Sequence, residues 1–551
     1  MGSKFTSFSQ KALCVALAMI FQPAAILAQT ETNRVAQDNL NRVMQKPQAH
    51  SEFKPDNRMP QQPSLVLPDL GDVSSAALTP LDERILGERI MREIRRDPDY
   101  ADDPVFYDYL NAIGQHLVGA ARQQKVPGME GAGTFAIQFE LFGVRDRSIN
   151  AFALPGGFIG VHTGLVVAAE SESELASVLG HEIGHVTQKH IARMYSQQGT
   201  NSLIALASII VAALAVSRNP GAAQGLAMGG QALAIQNQLS YSRDAEREAD
   251  RIGLQILQAG GFNPQGMPDF FQRMQRANSI MESGVPAYVR THPLTTDRIA
   301  DMSDRVRSLP VRKVESSLEF ILMKARARLI QTVSTSNYPE LRQLLNSLTR
   351  KPEASKQLEG FYGLALLDLK LGRLADAEAA LQKARTLTQQ LSGRGSPMLR
   401  YSVALESTAI DILMAKKQYD QAAKAIAQQR AQFIHSRTFQ LQALDVQLKT
   451  GQLDEAIAWL KNQTKIQASD TTWWDWLSRA YAKKGRVGLH HAALAEKYVT
   501  QGAWVAAIEQ TKLAKQAGDL DFYQASELDA RSRQIQDLYR QELRDDGKRP
   551  G

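Results

Sequence analysis

The sequence predicts an α+β domain, mostly helical with one small sheet, followed by an all-α solenoid of paired helices. Apolar residues recur at helical spacing from about residue 80 to 312, with an alternating stretch between Thr134 and His162. From about residue 316 the helical pattern continues without strand signals. Within that second part, small and aromatic residues repeat with a period of 34 residues.

At the start of the chain, Lys4 and Lys11 precede an apolar run from Ala12 to Phe21, followed by Pro23 and small residues to Ala28. This is the composition of a secretory signal peptide, residues 1–28, cleaved after Ala28. The single cysteine, Cys14, lies inside the run, too early to follow a lipoprotein cleavage site. The mature chain therefore has no disulfide, which fits a bacterial periplasmic protein stabilised by its core. The formal charge of +7 falls to +5 once Lys4 and Lys11 are removed. Basic and acidic residues are interspersed, so no nucleic acid is expected as a partner, while a peripheral membrane contact through anionic lipid stays open. Residues 29–79 are polar and broken by Pro47, Pro55, Pro60, Pro63 and Pro68, and they read as a flexible, Pro-rich arm.

The domain over 80–312 begins near Leu81, where Ile85, Ile90 and Ile94 start a helical run. Thr134 to Leu141 alternates, with Phe135, Ile137, Phe139 and Leu141 on one face. Asn150 to Leu154 and Phe158 to His162 then flank a Pro-Gly-Gly turn, which completes a small sheet. Ser171 and Glu174 have the spacing of a helix-capping box, and Leu175, Val178, Leu179, Ile183 and Val186 form the buried stripe of the helix that follows.

On that helix lies His181-Glu182-Ile183-Gly184-His185. Residues four apart share a helix face, so both histidines can aim a ring nitrogen at one Zn2+ ion, while Glu182 can reach a water beside it as general base. Such a site needs a third protein ligand. His190, five residues past His185, falls roughly 140° round a continuous helix and reads as a surface histidine. Glu246 is the better candidate. It opens Glu246-Arg247-Glu248-Ala249-Asp250, with Asp250 one turn further on and able to accept the N–H of a ligating histidine. Most such charge runs are solvated salt-bridged faces; the histidine pair upstream argues for a ligand here. Between the two motifs, Leu203 to Val216 is apolar but too short to span about 30 Å of hydrocarbon, and a Gly/Ala-rich stretch continues to Gly230. This insertion reads as core packing, with a lid or membrane-surface contact as the functional alternative.

In the second part, Phe361, Leu364, Gly372, Ala377, Leu381 and Ala384 match a tetratricopeptide unit. Later units register through Lys417 with Tyr419 and Ala422, Gly451 with Leu453 and Ala456, and Trp474, Leu477, Tyr481 and Gly485. Gly502, Trp504 and Ala507 break the phase, so the repeats over 316–545 are legible but their number is not. Stacked helix pairs present a concave surface suited to extended peptide or another protein.

The zinc motifs resemble the gluzincin metallopeptidases, and among them the family of HtpX and the CAAX prenyl proteases. The resemblance runs from about residue 80 to 310 and includes Asn150-Ala151-Phe152-Ala153-Leu154-Pro155-Gly156-Gly157 and Thr291-His292-Pro293-Leu294 with Arg298. It implies a zinc endopeptidase with one Zn2+ per chain, and an edge strand that takes substrate as an added strand at Asn150 and Ala151. It also implies a role for His292, either stabilising the oxyanion or swinging onto the zinc as a silencing fourth ligand. The whole arrangement is similar to the BepA-type periplasmic metalloproteases of Gram-negative bacteria. That similarity implies outer-membrane protein assembly and quality control, with misassembled or unfolded outer-membrane proteins as substrates and the barrel assembly machinery as a partner of the repeats. The competing class is a non-proteolytic chaperone or scaffold with a latent zinc site. The absence of transmembrane helices departs from HtpX itself.

Overall fold

The computed structural model describes residues 78–129, 137–198, 242–280, 287–310, 312–392 and 402–545. The expected signal segment, all but the last two residues of the arm, and the 203–230 insertion lie outside them.

Helix α1 (Pro80–Arg96) opens on a reciprocal cap in which Thr79 and Asp82 each accept the other's backbone N–H. Its Leu86, Ile90, Met91 and Ile94 pack with Phe142, Leu154 and Phe158 of the sheet. Helix α2 (Pro104–Gln123), capped by Asp103, sends Phe106, Leu110, Ile113 and Leu117 into the main core. Strands β1 (Glu140–Val144), β2 (Ala151–Leu154) and β3 (Phe158–His162) form a sheet in the order β1-β3-β2, with β3 parallel to β1 and antiparallel to β2. A 3₁₀ turn at Pro155–Gly157 joins β2 to β3. Gly157 there has φ 87°, and a Cβ on it would lie 2.3 Å from the Gln138 carbonyl oxygen.

The sequence places the first strand at Thr134–Leu141, whereas among the described residues it begins only at Glu140. Leu141 faces the core that α2 joins, and Phe142 and Val144 face α1. A strand covered on both sides is a continuous apolar run, so alternation is a poor guide to it.

After α3 (Thr163–Ala168) comes α4 (Glu172–Thr187), which is buried along its whole length. Ser171 caps it by accepting the Glu174 N–H, but the Glu174 carboxylate takes the Glu170 N–H instead of closing the box. Then follow α5 (His190–Gln198), α6 (Arg243–Ala259), α7 (Gly266–Ile280), α8 (Ala287–Thr291) and α9 (Thr296–Arg307).

Helix α10 (Leu318–Gln331) lies beyond residue 312 yet packs on α3. Its Phe320, Leu322 and Met323 join the main core, and Lys324 Nζ donates to the Ala169 carbonyl. From there the described chain is helical: α11 (Tyr338–Thr349), α12 (Ala354–Lys370), α13 (Leu374–Ser392), α14 (Val403–Ala415), α15 (Tyr419–Gln432), α16 (Arg437–Thr450), α17 (Leu453–Ile466), α18 (Thr471–Lys483), α19 (Val487–Thr500), α20 (Trp504–Gln516) and α21 (Phe522–Asp545). Each of these packs on the next. The chain turns back through left-handed residues at Lys417, Gly451 and Gly485, with φ of 59°, 82° and 74° and 34 residues between successive members. No described helix is long and apolar enough to cross a membrane.

Candidate active site

The site is built on the crossing of α4 and α6. Gly180 and Gly184 on one helix face Ala249 and Gly253 on the other, and the backbones touch. A Cβ on Gly253 would lie 2.8 Å from the His181 nitrogen, and one on Gly184 would lie 3.0 Å from the Ala249 oxygen. This approach brings the Glu246 carboxylate to 3.5 Å from both His181 Nε2 and His185 Nε2. The two Nε2 atoms are 3.0 Å apart. His292, just after α8, adds its Nδ1 at 3.3 Å from His181 Nε2 and 3.0 Å from Glu246 Oε1. One ligand atom from each of the four residues lies within 4.8 Å of all the others, and all four residues are buried.

The residues fit a zinc ion. Zinc bonds of about 2.0–2.1 Å in tetrahedral geometry set ligand atoms about 3.3 Å apart, close to the spacings found here. Ring nitrogens facing one another at that distance need a shared cation or proton between their lone pairs. The carboxylates favour positive charge at this point. Burial opposes a charged His181, but Asp250 and Glu246 outweigh it and raise the ring to about 10. His185 is held well below its usual value by burial and by the neighbouring His181. Glu246, despite its burial, is held well below the usual carboxylate range by His292 and His181.

The sequence-predicted residues occupy these positions. Asp250 Oδ1 lies 2.9 Å from His181 Nδ1. Arg298 grips both Asp250 oxygens at 2.7 and 2.8 Å, reaches Glu246 Oε2 at 2.8 Å, and donates to the Pro293 carbonyl at 2.9 Å. Glu182 is fully buried and lies 3.4 Å from His292 Nε2. Burial pushes its carboxyl above the usual range, opposed by the adjacent histidines and by the Ala153 backbone N–H.

That Ala153 contact follows from the sheet register. Asn150 gives its carbonyl to the His162 N–H, so in the antiparallel pairing the backbone groups of Ala151 and Ala153 point away from β3. The Asn150 side chain accepts weakly from Thr291 Oγ1 at 3.4 Å.

Two contributors escape the sequence reading. Tyr288, which no motif marks, stacks its ring on His292 with centroids 4.9 Å apart. His190 is not at the surface: it is 3 % exposed and its Nδ1 is 2.8 Å from His185 Nδ1. The expectation assumed an unbroken helix, but α4 ends at Thr187 and Lys189 adopts φ 52°, so His190 starts a new helix turned back under His185.

A buried centre of this kind, set beside a glutamate and an open strand edge, is what a zinc-dependent hydrolase of peptide bonds requires, and fold and site assign the chain to that class. The sequence pattern of peptidase family M48 matches residues 116–306. The chain is 30% identical to the beta-barrel assembly-enhancing protease of Escherichia coli over 472 residues, covering 86% of this chain and 91% of that one. It is 33% identical over 478 residues, 86% of this chain and 93% of the relative, to a Vibrio cholerae protein provisionally given the same name. A shorter match, 30% over 189 residues, covers 34% of this chain and 52% of the mitochondrial metalloendopeptidase OMA1 of Schizosaccharomyces pombe. The chain belongs to peptidase family M48 and is a zinc metalloendopeptidase.

Proposed function

We propose that this chain is a periplasmic endopeptidase of outer-membrane protein assembly and quality control, delivered by the segment 1–28 and closed at rest by His292. In this reading it degrades misassembled or stalled proteins and holds clients, chaperone-like, through tetratricopeptide repeats over 316–545 that follow a peptidase domain over 80–312. The names of its relatives, beta-barrel assembly-enhancing proteases matched over nine-tenths of their length, support a role in β-barrel assembly and hence the client class; the barrel assembly machinery is the partner this reading expects. The 34-residue recurrence of left-handed helix ends supports the repeats. A concavity of about 700 Å³ lined by Trp474, Leu477, Tyr481, Leu489, Val499 and Leu528 supports client docking there.

His181, His185 and Glu246 would hold the zinc, with Asp250 fixing His181 in the tautomer whose Nε2 faces it. When bound, zinc supplies the Lewis acidity that makes water nucleophilic at neutral pH and polarises the scissile carbonyl. A client segment adds to the free edge of β2, bonding the backbone of Ala151 and Ala153 beyond Asn150, and so lies alongside Glu182. Glu182 takes the proton of the attacking water and passes it to the leaving nitrogen.

The observation that carries the resting-state assignment is the position of His292. Its two nitrogens lie at 3.0 Å from Glu246 and 3.4 Å from Glu182, between ligand and base, where the water and carbonyl must enter. The same observation favours the second reading, a scaffold whose site stays latent. Glu182→Gln separates the two. It is expected to keep zinc and fold while losing cleavage of unfolded casein by about a hundredfold or more, the range for a positioned general base. Unchanged cleavage would remove Glu182 from the chemistry, and no cleavage by the parent chain under any condition would favour the scaffold.

A further inference from the structure

We infer that His190 is a positioning residue for the zinc ligand His185, the middle member of a relay from His185 through His190 to Glu248 that sets the ligand's tautomer from the protein surface. The inference rests on the reading of His185 as a zinc ligand.

The geometry admits one consistent set of protons. His185 Nε2 faces Glu246 and His181, so a metal there needs the Nε2 lone pair and the ring must carry its proton on Nδ1. The atom opposite that Nδ1 is His190 Nδ1, at 2.8 Å. It must therefore accept, which puts the His190 proton on Nε2. His190 Nε2 in turn lies 3.0 Å from Glu248 Oε2, and a carboxylate accepts it. Arg193 Nη2, 2.6 Å from the same oxygen, holds that carboxylate in place. Each link fixes the next, so the charge on Glu248 dictates which nitrogen of His185 is left for the metal.

The two ligating histidines are thus oriented by different devices. His181 meets a buried carboxylate directly, clamped by the buried Arg298. His185 reaches Glu248 through a second imidazole, and Glu248 and Arg193 are 40% and 37% exposed. Groups that orient metal ligands in this way are worth about 10- to 100-fold in metal affinity.

The test is zinc affinity of the full chain by chelator competition, with the absorption spectrum of the cobalt-substituted protein as a report on ligand geometry. His190→Leu is expected to weaken zinc binding by about 10- to 100-fold and to shift the cobalt spectrum. His190→Gln, whose carbonyl can accept from His185 and whose amide can donate to Glu248, is expected to restore most of the affinity. Glu248→Ala, a change of a half-exposed residue that leaves the fold intact, is expected to weaken binding in the same direction without lowering the melting temperature of the metal-free protein. Unchanged affinity in Glu248→Ala, or equal losses in His190→Leu and His190→Gln, overturns the relay. His185→Ala run alongside separates the two levels: if that variant keeps zinc, the ligand assignment itself has failed.

Discussion

An imidazole offers two nitrogens, and at this site each ring is fixed by what holds the one away from the metal. His181 is set by Asp250, while His292 contributes Nδ1 to the cluster and presents Nε2 to Glu182. On the proposed function Glu246 is the anionic ligand, and the His292 and His181 rings beside it hold its carboxyl well below the usual carboxylate range. Glu246→Gln is therefore expected to weaken zinc binding more than any variant of His190, as read by chelator competition; full retention of zinc would remove Glu246 from the ligand set. The spacing of His181, His185, Glu246 and Asp250 was legible in the sequence because helical periodicity alone puts each pair on one face. His190 was not, because its position depends on a left-handed Lys189, a residue type that gives no signal for positive φ. Asn150 and Ala151 were legible as an edge, but which of the two turns its backbone outward depends on a register that only the paired strands define.

On the proposed function helix α4 supplies two ligands and the base, and α6 supplies the third ligand and its neighbour, so their crossing is the element on which the centre depends. The crossing is close because Gly180, Gly184, Ala249 and Gly253 carry little or no side chain at the contact. In Gly253→Ala the new methyl would meet His181 backbone atoms at 2.8 and 2.9 Å, and backbone cannot yield as a flexible side chain can. That variant is expected to lose about 1–3 kcal/mol in urea denaturation and to bind zinc more weakly, because Glu246 retreats with its helix. Stability equal to the parent would mean that the helices separate without penalty. The His-Glu-x-x-His helix was readable from its cap and stripe, yet nothing in either segment alone announced that the two would meet at backbone distance.

Across the whole molecule, the helical part is fastened to the peptidase core. Asp108 of α2 accepts from the Ser436 hydroxyl and from the Arg437 and Thr438 N–H groups at the start of α16. Arg326 of α10 pairs with Asp103 at the start of α2. Tyr109, next to Asp108 in α2, donates to Glu172, the first residue of α4, which also accepts from Ser317. Whatever engages the helical part therefore bears on a helix that touches the start of the zinc helix. A cut at residue 316 would strip core side chains from the peptidase, a dependence that the change of pattern near residue 312 does not reveal. On the proposed function, restraint belongs to the whole chain: a protease among unfolded clients stays closed while His292 sits against His181 and Glu246. Casein cleavage by the full-length His292→Ala variant, beside the parent chain and Glu182→Gln, tests this most directly. The account predicts a clear rise in cleavage or self-cleavage that depends on Glu182. A fall of on the order of a hundredfold, the loss expected for one oxyanion donor, would contradict it and make His292 a catalytic group.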